Sequence, residues 1–227
     1  MSVFKVAKRK NIPLKIGMSG PSGSGKTYSS LLFAKGLVGN LSKVALVDTE
    51  NKSAELYSDV AGGGFSSVSF PPPFHPDRYV KLISMAVDAG FECLIIDSIT
   101  HEWDGPGGVL EIHANMSGNS FTNWKKVNPI HDRFVNAVLQ APIHVICTMR
   151  RKQDYSMETV GGKTKVEKVG LKEIQRDGFE YELTTNFNIE MNHMATVSKD
   201  RTNLFSDTVP FLINEDAGKK IREWNNS

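Results

Sequence analysis

The sequence predicts an α/β fold, a mainly parallel central sheet flanked by helices with antiparallel strands at its C-terminal end, and three observations predict it. Short apolar runs at 14–19 (LKIGMS), 43–48 (KVALVD), 91–97 (FECLIID) and 143–148 (IHVICT) have the length and texture of strands buried on both faces. Segments with helical spacing lie between them, which is the alternation of a sheet covered on two sides. Beyond Met149 the texture changes, and 179–189 and 193–198 alternate as antiparallel strands do.

The run 14–19 opens into a glycine-rich stretch. Helical spacing follows over 28–37 (YSSLLFAKGL), with Gly39-Asn40 as its stop signal. The segment 61–74 holds three consecutive glycines and three consecutive prolines, so it reads as a loop or a sheet edge. Over 77–89 the apolar residues Tyr79, Val80, Leu82, Ile83, Ala86 and Val87 mark one helix, and 127–139 reads as another. Residues 150–172 are polar, basic and glycine-containing, and read as a loop. The end, 216–227, reads as a short exposed helix or tail. These elements make one domain, with a core at 12–213 and a tail at 214–227.

The chain has 227 residues, 40% hydrophobic and 23% charged, so it carries enough apolar material for a packed core. A net charge of +2 confines any nucleic-acid footprint to a local patch. The two cysteines, Cys93 and Cys147, sit inside apolar runs and read as buried reduced thiols. His101, His113, His131 and His144 show no ligand spacing and read as structural. The basic first ten residues lack the apolar core of a leader, and no stretch approaches a membrane span. The expectation is a soluble, cytoplasmic protein without a membrane partner.

Gly20-Pro21-Ser22-Gly23-Ser24-Gly25-Lys26-Thr27 fits the pattern G-x-x-x-x-G-K-[ST] in full. A phosphate chain needs several backbone N–H donors converging on it. Glycines let the backbone wrap that closely, and the helix that follows adds its positive end. Lys26 is placed to reach the β- and γ-phosphates of ATP, and Thr27 to put its hydroxyl on Mg²⁺. Strand before and helix after are the context this loop requires. The metal also needs a carboxylate at the end of a buried strand, and Asp97 after Cys93-Leu94-Ile95-Ile96 fits, with Ser98 beside it. Hydrolysis needs a carboxylate to polarise water. Glu50 and Glu102 are the candidates, Glu102 otherwise reading as a solvated loop acid.

The segment VALVDTENKSAELY resembles the part of bacterial RecA-type recombinases that carries the catalytic glutamate, with an adenine-stacking tyrosine seven positions on. Glu50 and Tyr57 keep that spacing, which favours Glu50 as the base. CLIIDSIT resembles the family's magnesium-binding strand, with Asp97 in place. The phrases GMSGPSGSGKTYSSLL, IIDSITHEWDG, QRDGFEYELT and ATVSKDRTNLF resemble small phage-encoded RecA-core ATPases, the group that includes proposed single-strand annealing proteins, from about Lys15 to Phe205. The resemblance implies a RecA-like P-loop fold, catalytic roles for Lys26, Glu50 and Asp97, single-stranded DNA as partner, assembly of several copies and a single-strand-binding protein nearby. It departs where RecA has a γ-phosphate-sensing glutamine. Here the run is Thr148-Met149-Arg150-Arg151, leaving Thr148 and Arg150 as candidate replacements. An N-terminal polymerisation helix and a large C-terminal domain are also missing from the pattern, so filament formation is not implied.

In RecA-like proteins the loop matching 150–172 contacts DNA. Arg150, Arg151, Lys152, Lys163, Lys165, Lys168 and Lys172 suit phosphate neutralisation there, and Tyr155 suits stacking on a base. A second loop, 104–124, carries Phe121 and Trp124 and reads as a nucleic-acid path or a subunit contact. Lys199 and Arg201 match the place from which cations of the family reach a neighbouring subunit's γ-phosphate. Three functions remain open on these residues: a DNA-stimulated ATPase, an ATP-gated DNA-binding protein with little hydrolysis, and a small-molecule kinase, whose lid arginines Arg150-Arg151 would mimic.

Overall fold

A computed structural model describes residues 4, 6, 11–160 and 163–227, except the side chains of 155–160 and 163–167. Strand β1 (Lys15–Gly20) is followed by α1 (Lys26–Val38), β2 (Val44–Asp48), β3 (Ser66–Ser69), α2 (Pro76–Asp88) and β4 (Cys93–Asp97). Short helices α3 (Thr100–Asp104) and α4 (Val109–Ala114) lead to the long α5 (Ser120–Gln140). Then come β5 (His144–Val160), β6 (Lys163–Glu173), α6 (Phe179–Glu182), β7 (Thr185–Ile189), β8 (Met194–Asp200), β9 (Phe211–Leu212) and α7 (Glu215–Asn226).

Among the described residues the sheet has nine strands, in the order β3-β2-β4-β5-β1-β7-β8-β9, with β6 paired to β5. From β3 to β7 neighbours run parallel; β7–β8, β8–β9 and β5–β6 are antiparallel. The apolar strands alternate between two cores, as a period of two requires. Cys93 and Ile95 of β4 face one core with Leu31, Phe33, Leu37 and Ile221, while Leu94 and Ile96 face the other with Tyr79, Ile83, Phe134 and Val138. Both cysteines are free and buried, as the sequence indicates.

Several expectations change. The segment 150–172 is no loop: β5 runs on past the sheet and pairs with β6 from Arg151↔Glu173 to Val160↔Lys163 as a two-stranded ribbon. Of the expected DNA contacts, the side chains of Tyr155, Lys163 and Lys165 lie outside the described residues. Phe179 to Glu182 is helical, and the strand begins only at Thr185. Much of 104–124 is helical too, because α5 starts at Ser120, where Asn119 accepts from the Thr122 N–H at 3.1 Å. Trp124 is spent on stacking with His113 (4.1 Å) and Trp103 (6.0 Å), whereas Phe121 is exposed. The segment 66–69 is an edge strand, as expected of a loop or sheet edge.

The C-terminal segment is also more than a tail. Helix α7 buries Ala217, Gly218, Ile221 and Asn225, and Gly36 and Gly218 let α1 and α7 approach backbone to backbone. A Cβ on Gly36 would stand 1.9 Å from the Glu215 carbonyl oxygen, and one on Gly218 2.0 Å from that of Phe33. Among the described residues, no helix is long and apolar enough to cross a membrane.

Candidate nucleotide site

The parallel strands end level with one another, and their carboxyl ends form the rim of a crevice, the usual ligand position in a sheet of this kind. Asp48 pairs in register with Asp97, and Met18 with Thr148. The loop Gly20–Thr27 rises from the end of β1 into α1. Gly23 (φ 82°) and Gly25 (φ 90°) take left-handed backbone conformations that other residues rarely adopt. Gly20 is pressed by β7, since a Cβ there would lie 2.4 Å from the Ile189 carbonyl oxygen.

Lys26 is buried, and its Nζ donates to the carbonyls of Gly20 (3.0 Å) and Pro21 (2.8 Å). Burial pushes its pKa down, while the Asp97 and Glu50 carboxylates oppose that shift. The Thr27 hydroxyl donates to Asp97 Oδ2 at 2.5 Å, and the Thr148 hydroxyl donates to Oδ1 at 2.6 Å. Asp97 is 3% exposed, and burial raises its pKa above the usual carboxylate range despite these two hydrogen bonds. Thr49 fastens the ends of β2 and β4. Its N–H donates to the Asp97 carbonyl (2.8 Å), and its hydroxyl oxygen accepts from the Ser98 N–H (2.8 Å) and meets His101 Nδ1 (2.6 Å). Ser98 therefore enters the network through its backbone, and its buried hydroxyl has no partner among the described residues.

Glu50 stands on the loop after β2. Asp48 shapes that loop by accepting from the N–H groups of Glu50 (2.6 Å) and Ala54 (2.8 Å). The Glu50 carboxylate is held at both oxygens by Arg150, Nε to Oε1 at 2.9 Å and Nη2 to Oε2 at 2.5 Å. Glu102 is not a solvated loop acid: it is fully buried on α3, bonded to His131 Nδ1 (3.0 Å) and Gln175 Nε2 (3.3 Å). Its pKa is raised by burial and drawn back by His131.

Ser22, Gly23, Gly25, Lys26, Thr27, Glu50, Tyr57, Asp97 and Arg150 all line one cavity of about 720 Å³. Tyr28, Leu32 and Leu212 to Asn214 line it too, with Tyr28 edge-on to Tyr57 at 6.4 Å. His193 flanks the loop, its Nδ1 3.0 Å from the Ser24 carbonyl. Tyr28, His193, Asn214 and the shaping role of Asp48 are not evident from the sequence. Tyr28, as the residue after Thr27 on the first turn of α1, and Asp48, two positions before Glu50, are local to the motifs; strand order brings His193 and Asn214 in. One hydroxyl and one carboxylate, Thr27 and Asp97, form the donor set that Mg²⁺ commonly takes from a protein when phosphates supply more ligands.

The basic residues divide. Arg150 lines the cavity. Arg151 donates to the Leu171 carbonyl (2.6 Å) and lies between Glu173 (3.7 Å) and Glu190 (3.6 Å), at the root of the ribbon. Lys172 pairs with Asp177, while Lys152 and Lys168 are exposed on the ribbon. Arg201 sits at the other end of the sheet and Lys199 midway along it. Lys199 is opposite Asn186, which pairs with Gly17, and Arg201 Nη2 donates to the Tyr181 carbonyl at 2.9 Å.

A family model described as AAA domain matches residues 12–209. No curated protein matches the sequence.

Proposed function

The chain belongs to the AAA domain family, whose members are P-loop ATPases, and from that membership we propose that it binds ATP with Mg²⁺ and hydrolyses it. We further propose, on the basic ribbon and the RecA-like resemblance and not on the family, that the cycle is coupled to single-stranded DNA. The observation that carries the nucleotide reading is the convergence of Lys26, Thr27, Asp97 and Glu50 on one cavity. In this reading the loop Gly20–Thr27 wraps the phosphates with its N–H groups, and Lys26 adds its ammonium to them. Thr27 and Asp97 hold the metal, which when bound supplies neutralisation of phosphate charge. Glu50 orients and polarises the attacking water, and the base lies against Tyr57 and Tyr28.

What supports DNA is the ribbon. Strand β5 leaves the sheet between Arg150, its last residue paired to β1, and Arg151, its first paired to β6. The strand that reaches the nucleotide cavity therefore continues into a basic arm carrying Lys152 and Lys168, with Lys163 and Lys165 in its sequence. The RecA-like resemblance extends the reading to phage recombination or annealing, a homo-oligomer with Lys199 and Arg201 acting between copies, and a single-strand-binding protein as partner. A second reading, ATP-gated DNA binding with little hydrolysis, is favoured by the pairing of Glu50 with Arg150, which occupies the base.

Phosphate release measured with and without single-stranded DNA tests these readings. The proposal expects turnover that rises with DNA, and a Glu50→Gln chain that still binds ATP but turns over at least about a hundredfold more slowly. Binding without turnover selects the gated reading. Turnover that appears only with a small hydroxyl acceptor removes DNA in favour of a kinase.

A further inference from the structure

Arg150 joins two parts of the molecule that the proposed chemistry keeps separate. Its side chain occupies both oxygens of Glu50 and lines the same cavity as Lys26 and Asp97. Its backbone is fixed from two sides: the Arg150 N–H donates to the Thr100 hydroxyl (2.9 Å), and its carbonyl accepts from the Ile174 N–H (2.8 Å). The main chain therefore cannot drift far, and the guanidinium has a short list of anions within reach.

The fork of an arginine matches a carboxylate and a phosphate equally well, and it cannot lose its charge. A carboxylate engaged at both oxygens has one lone pair of each spent on the guanidinium and its charge neutralised, so it polarises a water less. The pair is partly solvated, with the Arg150 and Glu50 side chains 36% and 25% exposed, so it is held weakly enough to be exchanged. We propose that Glu50 and the terminal phosphate of ATP compete for Arg150, so that capture of the guanidinium by the γ-phosphate releases Glu50. Arg150 is then a positioning residue for the base, and it distinguishes triphosphate from diphosphate. This rests on the nucleotide reading above.

Competition has a thermodynamic signature that simple charge removal lacks. If the pair must open before Arg150 can meet the γ-phosphate, triphosphate affinity is reduced by the fraction of molecules in which it is open. Removing the carboxylate removes that reduction, and only where Arg150 is present. The test uses the full chain with Mg²⁺ and, in separate titrations, a non-hydrolysable ATP analogue and ADP. Four chains are compared by calorimetry: unaltered, Glu50→Gln, Arg150→Ala and the double variant.

Glu50→Gln should tighten the analogue by about fivefold relative to ADP, the ratio expected of an ion pair of this exposure. Arg150→Ala should weaken the analogue and spare ADP. In the Arg150→Ala background, Glu50→Gln should no longer favour the analogue over ADP. Equal gains for both nucleotides, or an equal gain with and without Arg150, overturns the competition while leaving the nucleotide site intact. ADP binding by Arg150→Ala shows that the variant folds. An unaltered chain that binds neither nucleotide removes the nucleotide reading, and the competition falls with it.

Discussion

Burial holds the Asp97 carboxyl above the usual carboxylate range, and the hydroxyls of Thr148 and Thr27 only partly offset it. Such a group is suited to a cation and costs stability without one. An Asp97→Asn chain keeps the shape and removes the buried charge, so without nucleotide or metal it should melt about 2–4 °C higher near neutral pH, equivalent to ~1 kcal/mol. The sign follows from linkage. A raised native pKa means that the protonated carboxyl suits the folded state better, so the cost of Asp97 appears as pH rises through that value. The advantage of the amide should therefore grow as pH rises above the ordinary carboxylate range and vanish where Asp97 is protonated. Thermal melts of both chains across pH measure it; a pH-independent difference, or a less stable variant at alkaline pH, contradicts the assignment. Magnesium-dependent turnover should be lost in the same variant, because Thr27 loses its anionic neighbour.

Helix α7 shows how an element can be functional through packing. Asn214 caps it, accepting from the Ala217 N–H at 3.1 Å, and also lines the candidate nucleotide cavity. Gly218 seats the helix on α1 with no room for a methyl group. Gly218→Ala should cost about 1–3 kcal/mol by overpacking, outweighing the ~1 kcal/mol that alanine usually gains over glycine in a helix. Nucleotide affinity should fall with it, since Asn214 moves with the helix. Unchanged melting and unchanged ADP titration would show that α1 and α7 yield at no cost. The same element marks the limit of the sequence. The buried strands are legible because each is a continuous apolar run, and the loop Gly20–Thr27 with Asp97 is legible because each motif is contiguous. The contact of Gly36 with Gly218 has no apolar period to announce it. The segment 150–172 lacks a continuous apolar run and holds Gly161-Gly162, so it reads as a loop. Phe179 and Leu183 suit a helical turn as well as an alternating strand. Glu102 reads as solvated because its partners, His131 and Gln175, lie far along the chain. Arg150 is within reach of the sequence as a stand-in for the γ-phosphate sensor, whereas His193 and Asn214 reach the site from separate strand ends, which only strand order assembles.

At the scale of the whole molecule, the cavity and Arg201 occupy opposite ends of the sheet, with Lys199 between them, level with Gly17. The Arg201 N–H donates to the Thr184 carbonyl, and the Thr184 N–H to that of Lys15, at the start of β1. The phosphate loop begins at Gly20, five strand positions on, a rise of roughly 17 Å. Arg201 cannot span that distance to its own phosphates. A role at a phosphate therefore requires a second copy, stacked so that the cation end of one protomer meets the loop end of the next, a heterologous contact that closes into a ring or continues as a filament. Two defective chains then repair one another. A Lys26→Ala chain lacks its own nucleotide grip but retains Arg201; an Arg201→Ala chain lacks the donated cation but retains Lys26. Each should be inactive alone, and an equal mixture should recover on the order of a quarter of the unaltered turnover, because that share of random contacts joins an intact Lys26 to an intact Arg201. Since Arg201 also holds the Tyr181 carbonyl, a melting curve for Arg201→Ala must first show a folded protein. If it is folded and the mixture stays inactive, or if Arg201→Ala is fully active alone, the cations serve only the surface on which they lie.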